Sequence, residues 1–194
     1  TLGTRCGEII ISTPHINDNH PIKCHEHEIQ CITTDINEKY LASASTNGTL
    51  INVFDLVTKK QIYKFRRGTT SAIIYDIAIS DDLKWLACCS YSSQGTLHIF
   101  SFDEDVTLSS ENNNTLIKKK VENKRTLIYR WFSEYTKEYL PTDSYFNDKW
   151  SAVEHELGAN TGIYHTCKFD KKGILHVASI DGKYFKAFSP STNY

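Results

Sequence analysis

This sequence predicts an all-β chain of repeating four-stranded sheets that form part of a β-propeller. Three observations point there. Apolar residues alternate with period two along most of the 194 residues, with Asn, Asp, Lys and Gly turns between the runs and almost no helical periodicity. Three segments superimpose, "NEKYLASASTNGTLINVFDL", "DLKWLACCSYSSQGTLHIFSF" and "KKGILHVASIDGKYFKAFS", each a turn, a short strand, a second turn and another strand. The offset from Gly48-Thr49-Leu50 to Gly95-Thr96-Leu97 lies within a few residues of the roughly 40 to 45 of a four-stranded blade.

The elements follow in order. Residues 1–24, with "GEIIISTPHINDNHPIKCHE", supply the last two strands of one unit. Residues 25–68 form a complete unit that opens on "EIQCITT" and closes on "KQIYKFRRG". Residues 69–157 open on "AIIYDIAIS" and close on "KWSAVEHEL", with an insertion of about residues 103–147 between the third and fourth strands. Residues 158–194 begin a last unit with "IYHTCKFD". About three and a half blades result, and a closed propeller needs at least about four to hide its strand edges. The chain, which starts at Thr1 rather than Met, therefore reads either as a fragment or as part of a ring that another chain completes.

Composition bounds the function classes. Hydrophobic residues make up 40% and charged residues 23%, with a net charge of -1. Affinity for an anionic partner must therefore come from local clusters, and nothing points to nucleic acid. No apolar run approaches the roughly 20 residues that span a bilayer. The six cysteines show no C-x-x-C pair and read as reduced, mostly buried thiols of a cytoplasmic protein, with Cys88 and Cys89 facing opposite sides of a strand. Cys24, His25 and His27 lack a second ligand pair at zinc spacing, so neither a metal nor another cofactor is expected. Asp143, Asp148, Glu154 and Glu156 read as solvated charges, and no nucleophile-base pair or phosphate-cradling glycine loop argues for an enzyme.

The "KFRRG" stretch carries the main functional signal. Successive side chains of an extended segment project to opposite sides, so Arg66 and Arg67 face different clefts of the propeller rim. Corresponding positions carry hydroxyls: Ser45 and Thr49 in one unit, Ser90 or Ser92 with Thr96 in the next, and His98 two residues beyond Thr96. Arginine, hydroxyls and histidine make a phosphate-binding set, because the guanidinium offers a planar donor fork and the hydroxyls add neutral donors. Read the other way, arginines on an edge strand pair with carboxylates or solubilise the edge, and the hydroxyls are turn residues. If His98 meets phosphate as imidazolium, affinity falls as pH rises through its pKa.

The insertion is a second signal. On a helical wheel Leu127, Ile128, Trp131, Phe132, Tyr135 and Tyr139 share one face, Arg130, Ser133, Glu134 and Lys137 lie outside it, Glu138 sits near its edge, and Pro141 ends the helix. Lys118, Lys119, Lys120, Lys124 and Arg125 precede it, which suits a basic helix lying in the headgroup layer. The same stripe also suits a helix packed on the propeller or on a partner.

Together these residues resemble the PROPPINs, seven-bladed WD-repeat propellers that bind polyphosphoinositides in autophagy. "FRRG" followed by "SAIIYDIAIS" and "GTLHIF", with "KCHEHEI" and "STNGTLI" upstream and "YFNDKWS" and "ASIDGKYFKAF" downstream, is similar to that family in the same order. The resemblance places the chain from the end of blade four (1–24) through blade five (25–68) and blade six (69–157) into blade seven (158–194). It implies two sites for phosphatidylinositol 3-phosphate or the 3,5-bisphosphate. The first would use His25, Ser45, Thr49 and Arg66; the second Arg67, Thr96 and His98 with Ser90 or Ser92. Asn52 stands where the family usually has an arginine, which weakens the first site. The insertion corresponds to a membrane-inserting loop, with Leu127, Ile128, Trp131, Phe132 and Tyr135 as its apolar contacts. The expected protein is a non-enzymatic peripheral membrane effector that recruits autophagy or endosomal machinery on phagophore, endosomal or vacuolar membranes. Its expected partners are those lipids, autophagy-related proteins and the N-terminal half of the propeller. The alternative is a WD-repeat interaction scaffold with weak or no lipid binding.

Overall fold

A computed structural model of the chain describes residues 5–11, 21–102, 148–158 and 163–187. The described residues are all-β and form part of a β-propeller. Strands β1 (Glu8–Ile9) and β2 (Ile22–Lys23) pair antiparallel as a short ribbon. Next come β3 (Ile29–Thr34), β4 (Tyr40–Ser45), β5 (Leu50–Asp55) and β6 (Gln61–Arg66), an antiparallel meander. Strands β7 (Ile73–Ile79), β8 (Trp85–Tyr91) and β9 (Gly95–Ser101) repeat that pattern. After the insertion, β10 (Lys149–Trp150) and β11 (Val153–Gly158) follow, then the three-stranded sheet β12 (His165–Phe169), β13 (Leu175–Ser179) and β14 (Tyr184–Ala187).

The repeat is visible in the turns as well as in the strands. Between the first two strands of each larger sheet a short polar side chain caps the turn. The Asp35 carboxylate accepts the Lys39 and Tyr40 amides at 2.8 and 2.5 Å. The Ser80 hydroxyl accepts the Trp85 amide at 2.9 Å, and Asp170 accepts that of Ile174 at 2.9 Å. Each turn passes through the left-handed region, at Glu38, Leu83 and Gly173 respectively.

The sheets stack face to face, which explains why their central strands are apolar on both sides. Ala42, Ala44, Ile51, Val53 and Phe65 of one sheet meet Ile74, Leu86, Cys88 and Phe100 of the next. The opposite face of that next sheet, with Trp85, Ala87, Cys89 and Leu97, packs on Cys167, Phe169, Leu175 and Val177. Cys88 and Cys89 thus enter different cores. Asp76 staples these two sheets, its carboxylate accepting the Cys167 amide at 3.0 Å and the Thr166 hydroxyl.

One strand departs from expectation. "KWSAVEHEL" reads as a single fourth strand, yet Lys149 and Trp150 pair parallel with Phe65 and Arg66 of the preceding sheet. The chain changes sheets at Ser151 and Ala152, and only β11 pairs with β9. Strand β6 would otherwise be an open edge, and β10 covers its end. The basic run and amphipathic stretch, with Leu127, Ile128, Trp131, Phe132 and Tyr135, lie outside the described residues.

Candidate functional site: two clefts divided by an arginine pair

Alternation along β6 and its continuation decides where the two arginines go. Phe65 lies in the core between the second and third sheets, so Arg66 faces the other way, on the face whose apolar members Leu41 and Phe54 pack against Ile9, Ile22 and Cys24 of the ribbon. Arg67 returns to the Phe65 side. Its amide donates to the Thr49 carbonyl at 2.9 Å, and its guanidinium Nε donates to the Gly48 carbonyl at 2.9 Å. A second guanidinium nitrogen donates to the Thr70 carbonyl. Backbone carbonyls of two turns therefore hold Arg67, which is 7% exposed.

The third sheet presents its hydroxyls on the face toward Arg67. Leu86 and Cys88 of β8 and Phe100 of β9 enter the shared core, so Ser90, Thr96 and His98 lie on that same face. The Ser90 and Thr96 hydroxyls are 2.8 Å apart, and His98 Nε2 lies 3.2 Å from the Thr96 hydroxyl. His98 Nδ1 reaches the Ser151 hydroxyl at 3.4 Å. Ser92 is not in this chain: it sits in the exposed turn between β8 and β9, its amide donating to the Gln94 carbonyl. Burial pushes the His98 imidazole down to about 4, and the Arg67 charge adds to the effect. Without a bound anion the ring is therefore neutral at physiological pH. Burial likewise lowers the Arg67 pKa, while Glu154 counters it.

The other cleft is furnished differently. His25 Nε2 lies 3.0 Å from both the carbonyl and the hydroxyl of Ser43. Asn52 Nδ2 donates to the Cys24 carbonyl at 2.7 Å and reaches His25 Nδ1 at 3.4 Å, while Gln61 donates to Asn52 Oδ1 at 3.2 Å. Asn52 thus braces the end of the ribbon against β5, and burial lowers the His25 pKa. Ser45 is buried at the end of β4, and the Thr49 hydroxyl, in the following turn, accepts from the Asn47 side-chain Nδ2 at 3.4 Å. Arg66 engages a carboxylate. Its Nε and Nη2 lie 2.8 and 2.5 Å from Asp148 Oδ2, and Lys64 Nζ lies 3.4 Å from Asp148 Oδ1. Asp148, with a side chain 4% exposed, is therefore not the solvated charge that the sequence suggests.

The model of the PROPPIN family matches residues 4–182. The chain belongs to the PROPPIN family. Among its PROPPIN relatives, autophagy-related protein 18e of Arabidopsis thaliana is 33% identical over 179 residues, which are 89% of this chain and 45% of that protein. Autophagy-related protein 18 of Komagataella pastoris is 32% identical over 128 residues, 66% of this chain and 22% of that one. The crystal structure of Hsv2 from Kluyveromyces marxianus superimposes with a TM-score of 0.60 at 20% identity, covering 89% of this chain and 43% of the other. Hsv2 of Kluyveromyces lactis gives 0.58 at 18% identity, with coverages of 96% and 55%. This PROPPIN chain spans about half the length, or less, of the relatives it matches.

Sequence reasoning missed Ser43, Ser151 and Asp148 in these PROPPIN clefts. Ser43 was within reach, because it stands two residues before Ser45 and so shares its face. Ser151 and Asp148 come from the far side of the insertion, 53 and 82 positions from their partners. Among the described residues, no group of three His, Cys, Asp or Glu comes together to hold a metal ion.

Proposed function

We propose that this chain is the lipid-reading part of a phosphoinositide effector, binding membranes that carry phosphatidylinositol 3-phosphate or the 3,5-bisphosphate. One observation carries the reading. A buried arginine, held by two backbone carbonyls, stands close enough to His98 for its charge to act on the ring, and His98 continues into a row of hydroxyls: Thr96, Ser90 and Ser151. Such an arrangement supplies a fixed cation and several neutral donors, the set that a phosphate monoester needs. Each charge-assisted hydrogen bond nets roughly 1.5 to 3 kcal/mol.

The Arg66 cleft, with His25, Ser45 and Thr49, is the second headgroup site, and residues 118–140 add an inserted element. Two headgroup contacts and an inserted helix on one rim give avidity, because later contacts become intramolecular after the first. In this reading the segment comprises the end of blade four to most of blade seven, and the N-terminal half of the ring completes it. The protein works in the cytoplasm as a peripheral protein on phagophore, endosomal or vacuolar membranes. It performs no catalysis and brings autophagy-related partners to the lipid.

A second reading, a propeller scaffold with little lipid affinity, is favoured by the Arg66–Asp148 ion pair, since a carboxylate already holds one of the two arginines. Flotation with vesicles containing phosphatidylinositol 3-phosphate separates the two. The Arg66→Thr, Arg67→Thr double variant is expected to lose vesicle binding. Equal flotation of the variant and the parent chain establishes the scaffold instead.

A further inference from the structure

The two arginines face different clefts, but only one of them is clamped by a buried acid. Arg66 puts two nitrogens on Asp148 Oδ2, and Lys64 sits by Oδ1, so both carboxylate oxygens face cations. The backbone holds Asp148 in this position. Lys149 and Trp150, the next two residues, form the parallel ladder with Phe65 and Arg66, so Asp148 cannot drift from the end of β6 while that ladder is intact. Arg66 and Asp148 are nearly dry, with side chains 12% and 4% exposed, and in such surroundings a charge pair is screened little by salt.

A carboxylate and a phosphate monoester make the same demand of a guanidinium: planar donors and a compensating charge. From this overlap we infer that Asp148 is a built-in competitor for the Arg66 cleft, a pseudo-ligand that a headgroup phosphate must displace. The inference rests on the lipid reading and refines it by making the two clefts unequal. Arg67 is held by neutral carbonyls and keeps its charge uncompensated by any short ion pair among the described residues. A phosphate therefore enters the Arg67 cleft first. The Arg66 cleft fills only when the Asp148 carboxylate leaves, by rotation of its side chain or by opening of the ladder between β10 and β6. Selectivity then depends on the charge of the competing phosphate as well as on its fit.

The test uses the full 194-residue chain. Asp148→Asn keeps the shape of the side chain and removes its charge. Titration with inositol 1,3-bisphosphate, and with vesicles carrying phosphatidylinositol 3-phosphate, is expected to show a gain of about tenfold for the second binding event relative to the parent. Inorganic phosphate serves as a third ligand; a gain with phosphate and the soluble headgroup alike locates the effect in the cleft, not in the bilayer. Adding Arg66→Thr to Asp148→Asn is expected to abolish the gain. No gain in Asp148→Asn, with Arg67-dependent binding retained in the parent, overturns the inference and leaves the lipid reading standing. Loss of binding in both proteins overturns both. A parent that fails to bind beside an Asp148→Asn variant that binds overturns the order of filling, because the Arg67 cleft of the parent is expected to take the first ligand.

If the variant fails to fold, the Arg66 and Arg67 Nε–H resonances of the parent chain decide. Arg67 is expected to shift at lower ligand concentration than Arg66. Parallel shifts overturn the inference.

Discussion

Arg67 Nε donates to the Gly48 carbonyl at 2.9 Å, and Gly48 itself occupies a position that no other residue fits. Its φ is +64°, and a Cβ there would stand 1.8 Å from the Ala72 carbonyl oxygen. The turn that anchors the arginine is thus made possible by a missing side chain.

Gly48→Ala is expected to destabilise the chain by about 1–3 kcal/mol, because backbone must move and left-handed geometry disfavours alanine. Headgroup affinity should fall further than stability alone explains, since the Arg67 anchor moves with the turn. Gly68 has nothing within 4 Å of a built Cβ, so Gly68→Ala is expected to shift stability by less than about 0.5 kcal/mol. Thermal unfolding of the two variants side by side checks the contrast; equal losses would show that the close approach is unimportant.

Arg67→Lys keeps the charge and loses the fork. A lysine cannot bond two carbonyls in fixed directions while presenting donors to a ligand. The expected loss is about ten- to hundredfold in affinity for vesicles containing phosphatidylinositol 3-phosphate, the equivalent of about one charge-assisted hydrogen bond. Measurement by calorimetry with the soluble headgroup distinguishes this from any effect of the membrane surface. A lysine variant that binds like the parent makes charge alone sufficient.

Stability should fall on mild acidification because of His98. Burial holds its folded-state pKa at about 4, against 6.5 for an unperturbed ring. As pH falls, the unfolded chain therefore takes up the proton first. The stability contributed by the neutral ring is whole above about pH 6.5 and is lost on the way down to about 4. The full loss is about 3 kcal/mol. His25, lowered in the same direction, adds to it. Replacing His98 with Gln should flatten the denaturation midpoint between pH 7 and 5; an unchanged slope would place the titration elsewhere. Headgroup affinity, by contrast, should be insensitive to His98 ionisation from pH 5.5 to 8.

Deleting residues 118–140 should separate insertion from recognition. Binding of inositol 1,3-bisphosphate is expected to stay the same, because the arginine clefts are built elsewhere. Binding to vesicles should fall at least about tenfold with the loss of the linked apolar contacts. Vesicle binding equal to that of the parent chain would remove the insertion from the membrane mechanism.

Much of the Arg67 cleft was legible in the sequence, because local rules generate it. Strand alternation placed Arg66 and Arg67 on opposite faces, and the repeat aligned Ser90, Thr96 and His98 on one face of the next sheet. Ser92 shares that parity in sequence but lies beyond the end of β8, where the chain turns and alternation no longer applies. The Arg66 cleft was less legible. Its decisive residue, Asp148, follows an insertion and resembles any other surface acid until β10 leaves its own sheet.

By itself the sequence determined the all-β repeat and the projection of the two arginines to opposite sides of one extended segment. Each of these follows from short-range periodicity, which physics reads over a few residues. Only the tertiary structure decided what holds each arginine: neutral carbonyls for Arg67 and a buried carboxylate for Arg66. Partners separated by 19 and 82 positions meet through chain closure and strand exchange, and no local pattern encodes those distances. The His98 charge state was decided there as well, because desolvation depends on what the neighbouring sheet brings against the ring.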